Sequence, residues 1–142
     1  QPGLARFTVQ TYPGWMGGGL IRYDESKLFD FTGVSKMVFK IRGTIKAETL
    51  CFGVQSKTGN AKDEIFPMKT SLKNHGYSVS ENAWTSVELD ISAAASKDVI
   101  NAFMLIAAND WGGAACSSGD WFEIKDLDWV DGSGKSVTLR YK

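Results

Sequence analysis

The chain holds a single histidine, His75, and only two cysteines, Cys51 and Cys116, in 142 residues. Zinc and copper draw their ligands chiefly from those residue types, so neither metal has a ligand set. Calcium needs only oxygens, which the chain has. No dense acidic loop of the EF-hand kind appears, so a structural calcium stays open and without a place. His75 lies in Asn74-His75-Gly76, and no G-x-S-x-G elbow accompanies it, so it reads as a solvated turn residue. Gly17-Gly18-Gly19 lacks the Lys-Ser/Thr of a phosphate loop. No apolar run approaches the ~20 residues of a helical membrane span. Formal net charge is zero and the basic residues do not cluster. Nucleic acid and anionic membranes therefore find no electrostatic support. No secretory leader is visible, and the first residue is Gln1 rather than Met, which suggests a processed protein or a piece of a larger one.

What is present is apolar and aromatic. Hydrophobic residues make up 43% and aromatics 12%, with five Trp and eight Phe, which excludes disorder. The length suits one domain over residues 1–142, able to bury a core without staples. Cys51 and Cys116 lie 65 positions apart. A bridge between them would add roughly 4 kcal/mol by loop entropy. Two separate thiols are the equal alternative, because sequence does not give the Cα distance.

Period-two alternation dominates. Met37, Phe39 and Ile41 face one way while Val38, Lys40 and Arg42 face the other. Leu50, Phe52 and Val54 point to a core, so Cys51, Gly53 and Gln55 share the opposite face. Val87, Leu89 and Ile91 repeat the pattern, as do Val137, Leu139 and Tyr141. Residues 5–11 and 16–23 read as strands, the second beginning on three glycines. Such a run costs strand stability and suits a bulge or the close approach of another backbone or a ligand. Residues 57–60 read as a turn, and residues 65–72 as an edge strand because Pro67 lies within it. Only residues 92–98 have real helix propensity, for two turns at most. About nine short strands with turn signals between them predict an all-β, two-sheet antiparallel sandwich of jelly-roll type.

The stretch from Val99 to Val130 organises the rest. An apolar strand runs into Ala108-Asn109-Asp110-Trp111-Gly112-Gly113, and a closing strand follows from Trp121 to Trp129. A tryptophan between an Asn-Asp pair and two glycines suits a sugar ring, whose C–H face packs on indole while its hydroxyls bond the polar rim. Trp15 lies in a similar Gly-rich setting, after Tyr12-Pro13-Gly14. Trp15 and Trp111 are candidate exposed platforms, with a lid folded over the core as the competing reading. Trp84 and Trp129 bound core strands and read as structural; Trp121 is ambiguous.

A hydrolase would need two carboxylates facing across a cleft. Glu88, Asp90 and Glu123 sit on outer strand faces. Asp24, Glu25, Asp63, Glu64, Asp98, Asp110 and Asp120 fall in loops. None has the apolar flanks that would raise its pKa toward an acid's role, so no enzyme is expected.

The order of features resembles the β-jelly-roll carbohydrate-binding modules attached to plant-cell-wall glycoside hydrolases. The likeness rests on Trp15 with Gly17-Gly18-Gly19, on Phe52-Gly53-Val54-Gln55-Ser56, on Trp84-x-x-Val87-x-Leu89-x-Ile91, and on Phe122-Glu123-Ile124-Lys125-Asp126-Leu127. The nearest pattern is that of fungal cellulosomal modules that bind β-glucan and mannan. The resemblance implies a concave sheet with Trp15 in the platform place and Gln55 in a polar place. Cys51 falls where such modules can carry a charged group, and Trp111 has no secure counterpart. Residues 16–23, 50–56, 66–72 and 101–108 would line the groove, with Lys69 and Asn109 at its edge. It also implies an extracellular, monomeric module within a larger glycoside-hydrolase chain, with a structural calcium left open as the one candidate cofactor.

The expected function is non-catalytic binding of a β-glucan-type polysaccharide in a shallow groove. Trp15 and Trp111 would stack on pyranose rings and Tyr12 would extend the platform. Gln55, Asn109 and Asp110 would bond hydroxyls, with Cys51 and Lys69 also facing the chain. The rival from another class is a structural or adhesive jelly roll whose tryptophans pack on a neighbouring domain. A small glycosidase ranks below both.

Overall fold

The computed structural model describes residues 3–10, 15–21, 26–58, 61–65, 71–108 and 116–142, with 15–21, 58, 61–65 and 108 described by their backbone. Ten strands lie among them: β1 (Ala5–Thr8), β2 (Trp15–Ile21), β3 (Phe29–Asp30), β4 (Lys36–Gly43), β5 (Leu50–Thr58), β6 (Ala61–Ile65), β7 (Thr85–Asp90), β8 (Asp98–Ala108), β9 (Trp121–Val130) and β10 (Arg140–Tyr141). Every pairing is antiparallel. One sheet has the order β1-β9-β4-β7. The other, of six strands, runs β10-β3-β8-β5-β6, with β2 also paired to β8. The all-β sandwich expected from alternation is the fold.

The inward residues of both sheets form one core. Met37, Phe39 and Ile41 of β4, Val87 and Leu89 of β7, and Phe122 and Ile124 of β9 meet Leu50, Phe52 and Val54 of β5 and Phe103 and Leu105 of β8. Phe52 sits at its centre, 4.8 Å from Phe39, 5.9 Å from Phe103 and 6.2 Å from Phe122 between ring centroids. These are the separations at which aromatic pairs attract beyond simple burial.

Two irregularities adjust this pattern. In β9, Phe122 and Ile124 point inward, and so do Leu127 and Trp129, an odd number of steps later. A regular strand could not do this. Asp126 takes a left-handed conformation (φ 56°), and the register against β4 shifts there. The extra residue returns Leu127 and Trp129 to the core side. In β8 the register against β5 shifts on both sides of Gln55. Trp129 Nε1 then donates to the Ala102 carbonyl at 2.9 Å, a hydrogen bond between the two sheets.

Several boundaries differ from the sequence-based expectation. The strand that pairs with β5 on that side is residues 61–65, which shares only Ile65 with the expected 65–72. Thr58 pairs with Ala61, which leaves Gly59-Asn60 as a two-residue connection. Gly-Asn at that spacing is itself a hairpin signal. Asp63 and Glu64 therefore belong to a strand rather than to a loop. Ser71 and Leu72 are not in a strand, and residues 66–70 lie outside the described ones. Residues 92–96 form a 3-10 helix, and two more 3-10 turns occupy Ala47–Thr49 and Lys73–His75. The last strand is only Arg140–Tyr141, paired with β3. Cys51 and Cys116 are both buried and no disulfide joins them, which decides between the two cysteine readings.

Candidate functional site

On the six-stranded sheet, β2, β8, β5 and β6 lie side by side. Leu50, Phe52 and Val54 go to the core, so Cys51, Gly53 and Gln55 belong to the outward face. Cross-strand register extends that face as three rows. The first is Glu64, Gln55, Asn101 and Ile21; the second is Gly53, Met104 and Gly19; the third is Cys51, Ile106 and Gly17. Trp15 follows, paired with Ala108 at the end of β8. From Ile21 to Trp15 the track spans about 20 Å at the rise of an extended chain.

Its chemistry changes along that length. At one end Asn101 Nδ2 donates to Gln55 Oε1 at 2.6 Å, and lies 3.9 Å from Met104 Sδ. Asn101 is 8% exposed and Gln55 is half-buried, so this amide pair forms a polar floor between two strands. In the middle, half-buried Met104 lies between Gly53 and Gly19, and half-buried Ile106 between Cys51 and Gly17; the glycines carry no side chain to obstruct a ligand lying on the backbone. Of the two readings of the glycine run, the bulge is present: the register of β2 against β8 shifts between Gly19 and Ile21.

The structure treats the sequence-derived site residues unequally. Gln55 is on the outward face and hydrogen-bonded to Asn101. Trp15 begins β2, in register with the residue that precedes Asn109. Cys51 is 0% exposed, which corrects its expected role as a ligand contact. Its short side chain stands on an interior strand beside the larger Ile106, and its thiol is floor rather than rim. Tyr12, Lys69, Asn109, Asp110 and Trp111 lie outside the described residues. Asn101, the hydrogen-bond partner of Gln55, is not among the expected site residues; an asparagine inside an otherwise apolar strand was the available signal. Among the described residues no group of three or more His, Cys, Asp or Glu stands together as a metal site.

The tryptophans also sort themselves. Trp129 packs on the core as expected. Trp84 does not. It lies half-buried on the outer side of the four-stranded sheet, with the Arg42 guanidinium 4.5 Å and the Lys125 ammonium 4.2 Å from its ring centroid. Trp121 is on the same side, under Arg6 at 4.1 Å. A separate shallow cleft beside the 3-10 turns is lined by Lys46, Glu48, Lys73 and Tyr77. Three of its polar groups are already engaged: Lys73 pairs with Glu48 at 3.2 Å, and the Tyr77 hydroxyl both donates to and accepts from the Glu88 backbone.

Two solved structures share this architecture. A family 30 carbohydrate-binding module of a cellulosomal cellulase from Clostridium thermocellum superposes with a TM-score of 0.62 at 14% identity, covering 89% of this chain and 73% of that one. A second family 30 carbohydrate-binding module superposes with a TM-score of 0.55 at 13% identity, covering 96% of this chain and 75% of that one. The fold is thus that of family 30 carbohydrate-binding modules. No family model matches the chain, and no curated protein is similar to it in sequence.

Proposed function

We propose that the protein is a non-catalytic carbohydrate-binding module, and that a β-glucan-type chain lies along the track from Gln55 to Trp15. The supporting observation is the series of rows itself. A polar amide pair, a stretch of low relief built on Gly17, Gly19 and Gly53, and an indole-bearing residue follow one another on a single sheet face. Sugar chains present the same alternation of apolar C–H faces and hydroxyl edges, and stacking with a few placed hydrogen bonds suffices to hold them. The likeness in fold to modules of cellulosomal cellulases supports the same reading. In this role Trp15 stacks on a pyranose ring, and Gln55, held by Asn101, meets hydroxyls. Tyr12, Lys69, Asn109, Asp110 and Trp111 are proposed to complete the rim. The module acts by raising the local concentration of an attached glycoside hydrolase on its extracellular substrate.

Isothermal titration against soluble mixed-linkage β-glucan, xyloglucan and glucomannan tests this. The expected result is binding to at least one of them, with Trp15→Ala weakening it by roughly tenfold or more, the loss of one stacked ring. Absence of binding to all three, or full affinity in Trp15→Ala, refutes the assignment.

A further inference from the structure

The opposite side of the sandwich carries chemistry that glucan binding does not use. Alternation sends Arg6 from β1, Lys40 and Arg42 from β4, and Trp121, Glu123 and Lys125 from β9 to the outer face of the four-stranded sheet. Trp84, just before β7, joins them through Arg42 and Lys125. Register places Arg6 and Arg42 on either side of Glu123. Arg42 Nε donates to Glu123 Oε1 at 3.0 Å, and Glu123 is only 7% exposed, so that carboxylate is committed to its arginine. Lys40 stands directly opposite Lys125. Lys40 reaches Asp126 at 3.8 Å. Arg6 and Lys125 rest on Trp121 and Trp84, and among the described residues neither has a carboxylate partner.

This half of the face therefore holds four cations against Glu123 and Asp126. The other half differs: Lys36 is there paired with Glu88 at 3.5 Å, and Asp90 and Asp128 lie nearby in register. Like charges set directly across a strand pair cost stability. A protein tends to break such local rules where a surface has a task. The cationic groups lie against indole faces, which holds them in place and gives a low, level floor. Neighbouring strands are about 4.8 Å apart, comparable with the length of one sugar ring. Successive acidic groups on an extended polymer can thus meet successive strands.

We propose that this face binds a uronate-bearing polysaccharide. Its carboxylates pair with Arg6, Lys125 and the outer edge of Arg42, and its pyranose rings lie over the guanidinium and indole plates. Uronate chains fit better than acidic peptides because they carry one carboxylate per rigid ring, at the spacing of the strands. The site is independent of the glucan track and would make the module bind two polymers at once.

Titration with oligogalacturonate in low-salt buffer provides the test, with polyglutamate and a neutral β-glucan in parallel. Binding to oligogalacturonate that weakens as salt rises is expected. Arg6→Gln and Lys125→Gln should each reduce it several-fold and the double variant roughly tenfold or more, while β-glucan affinity stays unchanged and the melting temperature of Lys125→Gln does not fall, since the charge opposite Lys40 is removed. Lys125→Arg should retain it. No binding at low salt, equal affinity in the double variant, or equally tight binding of polyglutamate would each overturn the proposal. The neutral glucan arm reports on the other face alone, so failure there leaves this result readable.

Discussion

Asp131 shows how much a single side chain can organise. Its carboxylate accepts hydrogen bonds from the Ser133 hydroxyl at 2.7 Å, the Ser133 N–H at 2.9 Å and the Lys135 N–H at 3.0 Å. The Ser133 hydroxyl first, then the Lys135 N–H, hold its pKa below the ordinary 3.8. The Ser92 side chain and N–H do the same for Asp90, and those of Thr32 for Asp30. Each of these aspartates closes a turn at a strand end, where short acidic side chains take up backbone donors. The folded pKa lies below the unfolded one. The contribution to stability is therefore present above 3.8, and lost as pH falls through that value toward the lowered one. Urea denaturation of wild type and Asp131→Ala should show the variant less stable at neutral pH, with the gap narrowing as the pH drops below 3.8. A gap that stays constant across that window would contradict the assignment. The site residues were only partly legible at this scale. Gln55 could be placed on the outward face because Leu50, Phe52 and Val54 fix the alternation around it. The same logic put Cys51 on that face but could not tell that it would be covered, since exposure depends on the height of neighbours from other strands.

Strands with a clean apolar alternation were readable from sequence to within a residue or two. β4, β5 and β7 are of this kind, because the two-residue period is the physical signature of a sheet with one wet face. β6 was not, since Ala61-Lys62-Asp63-Glu64-Ile65 has too little apolar content to announce itself. β5 is its partner and supplies the ladder that holds it. The bulge in β9 was also hidden. Phe122 and Ile124 are even-numbered, Leu127 and Trp129 odd-numbered, and that change of phase was its trace. Asp126 tolerates the left-handed conformation better than most residues, whereas a β-branched side chain does not. Asp126→Val should destabilise the fold by about 1–2 kcal/mol. Asp126→Gly should be close to neutral, losing only an exposed ion pair to Lys40 of 3.8 Å. Equal stability of the two variants would mean that the register shift does not depend on Asp126.

Taken whole, the sandwich has two unlike outer surfaces around one core. The six-stranded side offers glycines, amides and half-buried apolar residues, and the four-stranded side offers stacked cations. The two-layer plan was legible in the sequence. The division of labour between the layers was not, because Arg6, Arg42, Trp84, Trp121 and Lys125 come from four separate segments that only strand order brings together. The indole of Trp129 crosses between the layers to Ala102, the neighbour of Asn101. That proton is shielded for as long as the layers stay closed. In hydrogen exchange followed by NMR, its signal should outlast those of Trp84 and Trp121 and decay at the rate of global opening. A saccharide settling beside Asn101 would then be sensed through the wall: the Trp129 resonance would shift on titration although no sugar touches the ring.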